Sequence, residues 1–152
     1  MTPEVIYEGA TILALVGWLI LVLAPLAPRP AQIVAGGVIP LTLAAIYTAQ
    51  VALHFGQSEG DFASLPGLQL LFANPAHLAA AWVHFLAFDL WIGAWQVRKA
   101  RALGLPHLLI LPCLALTFLF GPAGLLLFCA LWGARALSAR DGPSDGPSGR
   151  EK

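Results

Sequence analysis

Charge is what this chain has least of. Asp, Glu, Lys and Arg make up 11% of its 152 residues, against 59% that are hydrophobic. A soluble domain of this length needs far more charge to cover its surface, so that class is excluded. Eight basic and eight acidic side chains give a formal net charge of zero. No basic stripe is present, so nucleic acid is not an expected partner. Cysteine is also scarce. Cys113 and Cys129 both fall in apolar sequence. On one helix they would stand about 24 Å apart along the axis, too far for a disulfide. They read as small buried hydrophobes and say little about redox compartment. The chain has no CxxC, HExxH, P-loop or GxGxxG and no internal repeat, so no cofactor is expected. His77, His84 and Asp89 are not spaced as a compact ligand set, and no metal is expected either.

What is there is apolar length. The few charges form islands, with Glu4 and Glu8 at the start, Glu59 and Asp61 near the middle, and Arg98, Lys99 and Arg101 together. Between them run segments of the roughly 20 residues that a helix needs to cross a bilayer. The first is about Gly9 to Leu26, closed by the prolines of "APLAPRP". It lacks the basic start and the cleavage site of a signal peptide. The second is about Ala31 to Phe55, with Gly36, Gly37 and Pro40 inside it. The third is about Ala76 to Val97, entered through "ANP". The last, "PHLLILPCLALTFLFGPAGLLLFCALWGARAL", is too long for one upright span and too short for two. Pro112 and the Gly121–Pro122 pair must kink it. The expected fold is an all-α membrane protein, a four-transmembrane-helix bundle with a kinked last helix, over residues 1–137. The alternative for the last segment is a re-entrant pair of half-helices turning at Gly121. Residues 138–152, "SARDGPSDGPSGREK", read as a disordered polar tail. "LPGLQLLF", in the loop from Gly56 to Asn74, reads as an interfacial patch.

With four spans, Arg29 and the Arg98–Arg101 cluster share one side, which the distribution of basic residues makes cytoplasmic. Arg135 and Arg140 oppose that assignment. The re-entrant alternative would remove the conflict.

The third segment poses the functional question. "AAWVHFLAFDLWIGAWQVRKAR" places His84 and Asp89 at membrane depth. An ionised aspartate there costs several kcal/mol, roughly 3 on insertion scales, so Asp89 must be protonated, paired or hydrated. At about 100° per residue, His77, His84, Trp91, Trp95 and Arg98 share one stripe, and Asp89 lies about 140° from His84. The two face an interior together only if two different helices meet this one. Trp91 is too deep for an interfacial anchor and is expected to pack in the bundle. Tyr47, Gln50 and His54 share a face of the second segment, and Cys113 and Thr117 lie one turn apart on the last. This thin polar lining suits an elongated lipid-soluble ligand better than an ion path.

Two motifs, "AWVHFLAFDLWIGAW" and "HLLILPCLALTFLFGPAGLLL", with the preceding "FANP", resemble the abscisic-acid-deficient-four-like family of small integral membrane proteins. The resemblance covers about Phe72 to Leu127. Its specific parts are the Trp82, His84, Asp89 pattern and the Gly121–Pro122 break. The plant member is required for forming neoxanthin from violaxanthin. The resemblance therefore implies a protein that acts on or binds a carotenoid or isoprenoid by xanthophyll isomerisation or epoxide opening. The alternative is a non-catalytic pigment-binding or assembly protein. Epoxide opening needs a proton donor at the oxygen and a base at a polyene carbon. Asp89 and His84 are the catalytic pair so implied. Trp82, Trp91, Trp95, Tyr47 and Thr117 are the expected substrate contacts. Membrane lipids, a second copy or a membrane enzyme are the expected partners. With no transit-peptide pattern, a bacterial inner membrane is the expected location.

Overall fold

The computed structural model of the chain describes residues 2–54, 56–57 and 59–140, with the side chains of all but 138–140. Six helices and no strand occur among these residues. Three are long and apolar enough to cross a membrane: α1 (Pro3–Val22), α2 (Pro28–His54) and α4 (Pro75–Ala102). The chain is an integral membrane protein by that measure.

Helix α1 starts six residues earlier than its apolar run suggests. Thr2 caps it, Pro3 takes a first-turn position that needs no N–H, and Glu4 lies in the positive first turn. Pro28 likewise opens α2 rather than merely ending α1. Inside α2, Val34–Val38 form a wider π turn in which the Ile39 N–H reaches back to the Val34 carbonyl. Pro40 supplies the physical reason. It has no N–H to bond Gly36, and its ring crowds that carbonyl, so the turn before it widens. Helix α3 (Leu65–Ala73) is the short apolar patch of the loop. Ser64 caps it by accepting the Gly67 N–H at 3.1 Å.

The last apolar segment is the main departure from expectation. It does not cross as a kinked fourth span. Helix α5 (His107–Phe120) ends at Gly121, and α6 (Pro122–Arg140) doubles back along it. Pro112 is absorbed inside α5. The reversal belongs to Gly121, whose φ of +42° strains any residue with a Cβ. Pro122 follows with no N–H to extend the ladder. The two half-helices lie close because a Cβ on Gly124 would collide with the Thr117 hydroxyl and backbone. Helix α6 continues three residues into the stretch expected to be tail. The tail's remainder, 141–152, lies outside the described residues.

Helix α4 is the axis of the molecule and packs against all five others. Its contacts fix each direction. Tyr7 meets Trp82 and Val22 meets His107, so α1 runs parallel to α4. Gln32 meets Arg98 and Tyr47 meets His84, so α2 runs antiparallel. Gly121 lies against Asp89, Phe128 against Trp95 and Trp132 against Lys99. The hairpin therefore reaches the middle of α4 and returns to the end it came from. Arg29, Arg98, Lys99, Arg101 and Arg135 share that end, and the conflict over Arg135 disappears.

Candidate functional site

Asp89 stands about 20 Å of helix from either end of α4, close to the bilayer mid-plane. It is half-buried. One carboxyl oxygen, Oδ1, lies 2.9 Å from where a Cβ on Gly121 would stand. That position is the first residue before α6. The peptide dipoles of α6 leave partial positive charge there, worth up to about 2 kcal/mol to a neighbouring anion in a sheltered site. This is of the same order as the roughly 3 kcal/mol that an aspartate costs at the centre of a spanning helix. The half-helix thus supplies a local reason for a carboxylate at this depth.

His84 faces elsewhere, as the angular count requires. Its ring packs on Tyr47 of α2, with centroids 5.3 Å apart, and on Phe88 at 4.7 Å. His84 and Asp89 thus meet different neighbours.

The tryptophans diverge as well. Trp82 stacks on Tyr7 at 5.6 Å and donates its Nε1–H to Thr11 Oγ1 at 2.9 Å. Trp95 packs edge-on against Phe128 of α6 at 5.4 Å. Trp91 was expected inside the bundle, yet it is 49% exposed. It projects outward between α2 and the hairpin because neither reaches that sector of α4. Thr117 is fully enclosed, bonded to the Cys113 carbonyl at 2.8 Å and to Gln96 Nε2 at 3.0 Å. A ligand meets it only by displacing Gln96.

Gln96 escaped the sequence reading. It is fully buried and clasps the hairpin to α4 through Thr117. Its one signal was spacing, seven residues after Asp89 on the same stripe. That stripe holds a second unforeseen feature. Leu78, Trp82, Phe85 and Asp89 follow at i, i+4, i+7 and i+11. The first three line a lateral groove of about 440 Å³ between α1 and α4, with Tyr7, Glu4 and Glu8 on its other wall. Asp89 lies one turn beyond Phe85 on that stripe and does not itself line the groove. Tyr47 and His84 lie outside it. Cys113 is buried and Cys129 exposed, and both are free thiols. No three His, Cys, Asp or Glu side chains converge among the described residues.

Residues 5–128 match the ABA DEFICIENT 4-like family. The chain belongs to that family. The matched region of this ABA DEFICIENT 4-like protein spans α1 through α5, the Gly121 turn and the first part of α6. It therefore includes Asp89 together with the turn that faces it. No curated protein and no solved structure matches the chain.

Proposed function

We propose that this ABA DEFICIENT 4-like chain takes one end of a carotenoid or related isoprenoid from the lipid into the groove between α1 and α4. Asp89, one turn beyond the groove's Phe85 on the same helical stripe, acts on it as proton donor. The observation behind this reading is a titratable carboxyl at mid-membrane depth, on the same helical stripe as the groove's Trp82 and Phe85. Family membership supports the ligand class. A lateral groove suits a ligand that arrives through the bilayer, and Tyr7, Trp82 and Phe85 present flat faces to a polyene or a ring.

The chemistry balances without an oxidant. The Asp89 carboxyl gives its proton to the epoxide oxygen, and the carbon–oxygen bond opens to an alcohol. The carboxylate left behind takes a proton from the neighbouring polyene carbon, closing the new double bond and restoring the acid. The result is an isomerisation. A bacterial inner membrane is the proposed setting, with a second copy or a membrane enzyme passing the ligand on.

Asp89→Asn keeps the shape and removes the proton. In vesicles loaded with an epoxy-carotenoid, the wild type is expected to convert pigment. Asp89→Asn should bind it and convert none, and Trp82→Ala should lose binding. Conversion by Asp89→Asn at the wild-type rate would overturn the reading. A second reading, a non-catalytic pigment-binding protein, draws support from the different neighbours of His84 and Asp89. Pigment bound but unconverted by the wild type selects it.

A further inference from the structure

A second cavity lies at the opposite, basic end of the bundle. It measures about 820 Å³ and opens between the α1–α2 turn, the last turns of α4 and the start of α5. Gln32, Arg98, Arg101 and His107 supply its polar lining, and no carboxylate lines it. Arg98 Nη1 donates to Gln32 Oε1 at 2.9 Å. That bond turns the other half of the amide into a problem, because Gln32 Nε2 is buried and has no partner. His107 Nε2 sits 3.0 Å from the Val22 carbonyl, which only accepts, so this nitrogen holds the proton and fixes the ring against α1.

Among the described residues no carboxylate lies at this end. Glu4, Glu8, Glu59 and Asp61 lie at the other end of the bundle, and Asp89 at mid-depth. Among the described residues neither Arg98 nor Arg101 forms an ion pair. Lys99 is turned away, 4.1 Å over the Trp132 ring of α6. Two exposed guanidinium groups therefore border a space large enough for a headgroup. Apolar Ala24, Val97 and Ile110 form its inner wall. Guanidinium forks match phosphate oxygens in pairs, and two of them in a lining without a carboxylate favour an anion.

We propose that this cavity binds a phosphate group, held by Arg98 and Arg101, with Gln32 orienting the Arg98 guanidinium. Two sources share that chemistry: the headgroup of an anionic phospholipid and a free phosphate such as pyrophosphate. The proposal stands on the cavity alone and is independent of what the groove at Asp89 binds.

The test uses the full chain in neutral detergent, stripped of lipid, with its thermal midpoint followed by tryptophan fluorescence. Phosphatidylglycerol, phosphatidylcholine and inorganic pyrophosphate are added separately. A binder of the folded state raises the midpoint in proportion to the logarithm of its concentration. A rise of several degrees with phosphatidylglycerol but not phosphatidylcholine identifies a lipid headgroup. A rise with pyrophosphate identifies a free phosphate. Either response should vanish in Arg98→Gln/Arg101→Gln. It should vanish also in Gln32→Glu, where the new carboxylate pairs with Arg98 in place and occupies its charge without disturbing the fold. The proposal is overturned if neither probe moves the wild type, if phosphatidylcholine moves it equally, or if the response survives in Gln32→Glu.

Discussion

At the scale of single residues, the polar groups of the membrane interior are held in unequal partnerships. Thr117 has two partners and Gln96 has one. Removing Thr117 strands a buried amide, whereas removing Gln96 leaves the hydroxyl still bonded to the Cys113 carbonyl. Thr117→Val is therefore expected to cost about 1–3 kcal/mol, the penalty of an unsatisfied buried group. Gln96→Leu should cost nearer 0.6 kcal/mol, typical of an interhelical bond in a membrane. Unfolding midpoints in mixed micelles compare them, and equal losses would show that the clasp is not asymmetric. Gly121 gives a second expectation. Ala at a φ of +42° adds backbone strain of order 1–3 kcal/mol, and its Cβ also presses on Asp89. Gly121→Ala should lower the midpoint less in an Asp89→Ala background, because only the strain remains. An undiminished loss there would separate Asp89 from the turn.

At the scale of elements, the three spans and the divergence of His84 from Asp89 were legible from periodicity alone. Both rest on rules local to one helix: apolar length and 100° per residue. The hairpin was not legible in the same way. A Gly–Pro pair permits either a kink or a reversal. The choice is made by contacts between remote segments, Thr117 with Gln96 and Gly124 with Thr117. Trp91 was misjudged for a related reason. Depth along a helix can be counted, but the sector that neighbours leave open depends on how far the hairpin climbs. The groove was missed because Tyr7 and Phe85 are ordinary apolar residues until α1 and α4 are laid side by side. Single cysteines at Leu103 and Leu137 should be labelled by an impermeant reagent from the same face, and one at Glu59 from the other. Labelling of Leu137 from the Glu59 face would mean that α6 completes a crossing.

At the scale of the whole molecule, every described basic side chain lies at one end, and the acidic ones lie at the other or at mid-depth. By the tendency of basic residues to stay on the cytoplasmic side, the basic end is expected to face the cytoplasm. A reporter active only in the cytoplasm, fused after Lys152, is expected to be active. An inactive reporter with intact protein would reverse the orientation. The half-depth hairpin also has a mechanical consequence. Five described helices crowd the basic half of the bundle, against three spans and the short α3 in the other half, so the two halves differ in cross-section. Each copy displaces more lipid area from one monolayer than from its partner. A bilayer crowded with such wedges relieves the mismatch by bending, with the broad basic face on the convex side. The chain is therefore expected to partition unequally between flat and strongly curved vesicles, and equal partitioning would show that the two halves displace the same lipid area.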